Sequence, residues 1–73
     1  MNDRELLAAI GEALHKDEWK AKLARDLAID DRSLRRWVQT NNVPPGVWRD
    51  LAALLEGHRV EIDALLTRLR ERS

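Results

Sequence analysis

Four arginines draw the eye in this chain of 73 residues. Arg32, Arg35, Arg36 and Arg49 lie in a stretch that holds no acid, so that stretch carries +4. The whole chain balances 13 basic against 13 acidic residues, which leaves −4 for the remainder. A guanidinium is planar and permanently charged, and its fork of donors matches a phosphate or the O6/N7 edge of guanine. A local basic face is therefore a footprint of nucleic-acid binding, even at zero net charge. An arginine run taken alone is more often a solvated helix face, so the elements that carry it decide.

Other chemistries lack parts. There is no Gly-rich phosphate loop, no nucleophile motif and no paired-carboxylate pocket. Ser33 has no histidine close in sequence, and so short a chain seldom forms a deep pocket. No enzymatic activity and no small-molecule substrate are expected. His15 reads as a helix-end residue and His58 as a seam residue. Without cysteine or further ligands, neither suggests a metal or a cofactor.

The elements that must position the arginines read as helices throughout, and nothing alternates with period two. Asn2 with Glu5 forms a capping-box pattern, followed by Leu6, Leu7, Ile10, Ala13 and Leu14 at helical spacing. Gly11 either weakens this helix or admits a close neighbour. Asp17 is the expected N-cap of a second helix with Trp19, Leu23, Ala24 and Leu27 on one face, ending near Ala28–Ile29. Asp30 caps a third helix, whose Leu34, Trp37 and Val38 form the inward stripe. Thr40-Asn41-Asn42-Val43-Pro44-Pro45 breaks it. From about Pro45 to Arg70, Trp48, Leu51, Leu55, His58, Ile62, Leu65 and Leu69 recur at alternating spacings of 3 and 4, a heptad seam. The seam keeps phase across Gly57, which favours one continuous helix over two. Trp37 and Trp48 read as core. Trp19 reads as core too, with phosphate contact by its indole N–H as the other option.

The expected architecture is all-α, one compact domain over residues 1–73 with four or five helices. Its motif helices span about residues 17–39, and a long amphipathic C-terminal helix covers about 57–71. Without cysteine there is no disulfide, and oligomerisation is the remaining common support for so small a core. No apolar run approaches the roughly 18 residues of a membrane span. Met1-Asn2-Asp3-Arg4-Glu5 lacks the layout of a signal peptide. A cytoplasmic protein without membrane association is expected.

Residues 20–37 hold two short helices with almost no loop between them. A small residue at the crossing (Ala24), a small residue in the turn (Ala28) and apolar plugs (Ile29, Leu34, Trp37) describe a helix-turn-helix. Leu23-Ala24 through Trp37, followed by Pro44-Pro45, resembles the Cro/lambda-repressor-type helix-turn-helix family over roughly residues 5–55. The family often has glycine at the turn, where this chain has Ala28. The size also resembles a small phage or prophage regulator. The resemblance implies that the third helix lies in the DNA major groove with its first residues at the base edges. The base-contacting candidates are then Asp31, Arg32, Ser33 and Arg36, and Lys20 falls where the family meets phosphate. Lys22, Arg35, Gln39, Thr40, Asn41, Asn42 and Arg49 complete the expected backbone-contacting set. Asp31 can equally hold Arg35 as an i,i+4 partner, and Ser33 can simply support the first turn.

The function expected is a sequence-specific double-stranded DNA-binding transcriptional regulator, a dimeric repressor on an inverted repeat at a promoter. Ile62, Leu65, Leu66 and Leu69 supply the expected dimer interface. Folding of this segment back onto the first helix is the competing possibility. The rival function is a protein-interaction module, antitoxin-like or a phage inhibitor, that docks through the C-terminal amphipathic helix.

Overall fold

The computed structural model describes residues 1–72. They form four helices, α1 (Asp3–His15), α2 (Trp19–Asp26), α3 (Asp31–Thr40) and α4 (Pro45–Arg72). No strand occurs among the described residues, so the fold is all-α. None of these helices is long and apolar enough to cross a membrane.

The start of α1 follows its capping box. Asn2 Oδ1 accepts from the Glu5 N–H at 2.8 Å, and the Asn2 N–H donates to Glu5 Oε1 at 3.3 Å. Leu7 and Ile10 turn inward from this helix, whereas Leu6 and Ala13, expected on the same stripe, are exposed. The inward strip of α1 is Leu7, Ile10 and Gly11, with Leu14 half-buried beside it, and it meets α2, α3 and α4. Gly11 serves the close approach: a Cβ there would sit 2.7 Å from Trp19 Cδ2, inside the indole's van der Waals surface.

The entry to α2 differs from expectation. Asp17 is not the N-cap; Glu18 is, in the left-handed region at φ 52 and without a side-chain cap bond. Lys16 also has a positive φ, 64, paired with ψ −83. Two such residues among three reverse the chain abruptly, which lets Trp19 land on Gly11. The exit also comes early, at Asp26 rather than Ala28–Ile29. Ala28 adopts φ 57, its N–H donates to the Arg25 carbonyl at 3.1 Å, and the Ile29 N–H donates to the Ala24 carbonyl at 3.0 Å. This is a Schellman closure, with a β-carbon where glycine is usual.

Leu7, Ile10, Leu23, Ala24, Leu34, Val43 and Leu51 form the core, with all three tryptophans packed partly against it. Val43, which the sequence marks only as part of a breaking loop, is almost fully buried. α4 runs unbroken through Gly57, where a Cβ would meet nothing. Its first half closes the core through Leu51. Its second half does not fold back onto α1: every residue from Arg59 to Arg72 is exposed. The molecule is accordingly elongated, 48 × 22 × 21 Å. Its radius of gyration is 14.2 Å, against about 11 Å for a compact chain of this length.

Candidate nucleic-acid interface

Two capping devices aim α3. At its start, Asp30 Oδ1 accepts from the Ser33 N–H at 2.7 Å. That backbone bond, a second bond from the Ser33 hydroxyl, and the nearby charges of Arg32 and Arg36 lower the Asp30 pKa below its ordinary 3.8. At its end, Asn41 turns left-handed at φ 54, and the Asn42 and Asn41 N–H groups donate to the Trp37 and Val38 carbonyls. Between the caps, Leu34 is fully buried and Trp37 and Val38 are half-buried. The opposite face of α3 is left to Arg32, Arg35, Arg36 and Gln39, all exposed.

These four side chains and Asp31 line one shallow, open surface depression. Asp31 Oδ2 holds Arg35 Nη2 at 3.1 Å, so the i,i+4 partnership anticipated for Asp31 is formed. The other oxygen, Oδ1, is shielded from solvent and has no hydrogen-bond partner. Lys20 of α2 lies beside this face, sharing a second depression with Arg35, Val38 and Gln39. Its ammonium also sits 5.8 Å from the centre of the Trp19 ring. Lys20, Arg32, Arg35 and Arg36 thus form a basic surface across the two helices, with Asp31 paired to Arg35, Asp30 near Arg32 and Arg36, and Glu18 beside Lys20 and Arg35.

The remaining expected contacts are placed less closely. Ser33 spends its N–H and hydroxyl on Asp30. Thr40 donates its hydroxyl to the Arg36 carbonyl at 2.8 Å. Asn41 uses its side-chain oxygen to accept from the Arg4 N–H at 2.9 Å. Asn42 is exposed just beyond it. Lys22 projects about 200° around α2 from Lys20, since each residue turns about 100°. Arg49 is exposed in the first turns of α4, with no bond to the α3 face.

One group that sequence reasoning missed holds this face in place. The Arg4 guanidinium donates to the Val38 carbonyl at 2.8 Å and to the Gln39 carbonyl at 3.4 Å. Asp3 accepts from the Val43 N–H at 3.0 Å. Arg4 thereby places a cation on the last carbonyls at the C-terminus of α3, where the helix dipole favours it. These partners lie 34 to 40 residues apart. No local pattern reveals them; the only hint was an Asp-Arg pair that the capping box did not use. No protein-family model, curated protein or solved structure matches this chain.

Proposed function

We propose that this chain is a sequence-specific double-stranded DNA-binding transcriptional regulator with a helix-turn-helix of the Cro/lambda-repressor type. It acts as a dimeric repressor on an inverted repeat. The observation that carries the reading is the solvent-facing row of Arg32, Arg35, Arg36 and Gln39 on α3, flanked by Lys20 of α2. Its support is the connection behind it: Ala24 buried at the crossing, Ala28 left-handed in the turn, Leu34 buried beneath. Those features pack α3 against α1 and α2 with its arginine face turned to solvent, the face a helix entering the major groove, roughly 12 Å wide, would present. Arg32 and Arg36, four apart on one face, read base edges through bidentate forks. Lys20 and the Asp31-braced Arg35 clamp phosphates, and Asp31 serves the bases only indirectly.

A second reading, a protein-interaction module, draws on the bare apolar distal half of α4. A titration of labelled mixed-sequence duplex across a salt series separates the two. The DNA reading predicts binding at low salt that weakens log-linearly, by about 0.9 per phosphate contact. Absence of binding at low salt would leave the interaction module.

A further inference from the structure

We propose that the distal half of α4 pairs antiparallel with the same segment of a second copy, the basic tip of each helix lying along the acidic base of the other. The orientation rests on the two-copy reading above and goes beyond it. Ile62 and Leu65 are exposed at 43% and 60%, Leu66 at 40% and Leu69 at 64%, although Ile62, Leu65 and Leu69 continue the heptad seam whose Leu51 lies in the core and whose Trp48 and Leu55 pack against it. Val60 lies two residues from Ile62, about 200° around the helix, and stays outside that seam.

Charge chooses the orientation. Near its base the protruding segment carries Glu56, Glu61 and Asp63 against Arg59, which is bonded to Glu56; its tip carries Arg68, Arg70 and Arg72 against Glu71 alone. Parallel pairing would stack the two arginine-rich tips on each other. It would also set Glu61, which flanks the seam, against Leu66 of the partner subunit, where no charge answers it. Antiparallel pairing sets Ile62 against Leu65 of the partner subunit and brings Glu61 within about 3 Å, along the axis, of Arg68 of the partner subunit. It also brings the partner's basic tip to the junction of α4 with the body. There Leu14, His15, Asp26, Leu54, His58 and Glu61 line an open groove that carries two acids. Asp26 is bonded to His15 yet keeps its carboxylate 32% exposed.

The test is sedimentation of the full chain at micromolar concentration without DNA, so that its failure leaves the DNA reading standing. The wild type is expected to be a dimer. Glu61→Arg and Arg68→Glu alter residues exposed in the single chain, so each variant keeps its helical content. Each should weaken dimerisation by roughly tenfold, as like charges replace attractive pairs at both ends. An equimolar mixture of the two variants should restore it, because each then supplies what the other lacks. Since the chain has no cysteine, Leu69→Cys should stay unlinked alone under mild oxidation and form a disulfide when mixed with His58→Cys. A monomeric wild type, charge swaps without effect, or ready self-linking of Leu69→Cys would overturn the proposal. In the first of these cases the face belongs to a different partner.

Discussion

At the scale of single residues, Arg32 and Arg36 differ from Arg35 in what surrounds them, and their substitutions should differ accordingly. Arg36→Ala should weaken binding to the best site by about 1–3 kcal/mol and relax preference at one or two base pairs, and Arg32→Ala should do the same at a neighbouring position. Competition titrations against single-base variants of the site read both effects. Lys20→Ala and Arg35→Ala should weaken all sequences alike and reduce the salt slope by about one. Circular dichroism should show no loss of helix in any of them, since none of these side chains enters the core. Two further residues test the packing behind the face. Gly11→Ala should destabilise the fold by roughly 1–2 kcal/mol despite alanine's better helix propensity, because its Cβ would overlap Trp19. Ala28→Gly should stabilise it by roughly 0.5 kcal/mol, the relief of a left-handed alanine exceeding the added entropy of the unfolded chain. Thermal denaturation measures both.

At the scale of elements, what the sequence foretold follows from how local each signal is. The caps at Asn2 and Asp30 and the break at Thr40–Pro45 depend on residues within one turn of each other, and the continuity of α4 through Gly57 was favoured by a heptad seam that keeps phase across it. All were readable in advance. The start and end of α2 were not, because they are set by left-handed residues at Glu18 and Ala28 whose conformations answer to tertiary packing. The same holds for the candidate interface. The arginine face follows from helical periodicity, whereas the lock of Arg4 on the Val38 and Gln39 carbonyls, and of Asp3 on Val43, joins distant segments. The cap of α3 carries a pH signature. Asp30 titrates below its ordinary 3.8 in the fold. Its ionised form is therefore the stabilising one: the contribution is complete above 3.8 and is lost as pH falls through the lowered folded value. Asp30→Asn keeps a capping oxygen but cannot titrate. The melting temperatures of wild type and Asp30→Asn should hold a constant difference above about pH 5 and change relative to each other only below 3.8. A difference that varied between pH 5 and 7 would place the linkage elsewhere.

At the scale of the whole molecule, a small helical body carries a rod that its own core does not need. Taking a leucine or isoleucine from full exposure to full burial is worth roughly 1.5–3 kcal/mol, and in the proposed pairing the apolar row of that rod supplies a part of this from each side chain. Leu65→Glu/Leu69→Glu should sediment as a monomer with unchanged helical content, and should bind a palindromic site more weakly than the wild type. In the proposed dimer, two α3 helices related by a two-fold axis would read twice the short half-site that one would read. The central claim is that α3 reads duplex DNA by sequence, and selection of bound duplexes from a random library tests it most directly. A sequence-reading α3 should enrich an inverted repeat with half-site centres about 10 base pairs apart, with altered preference within each half-site for Arg32→Ala and Arg36→Ala. A library that emerges unenriched, or one whose enriched site is the same for wild type and both arginine variants, would contradict it.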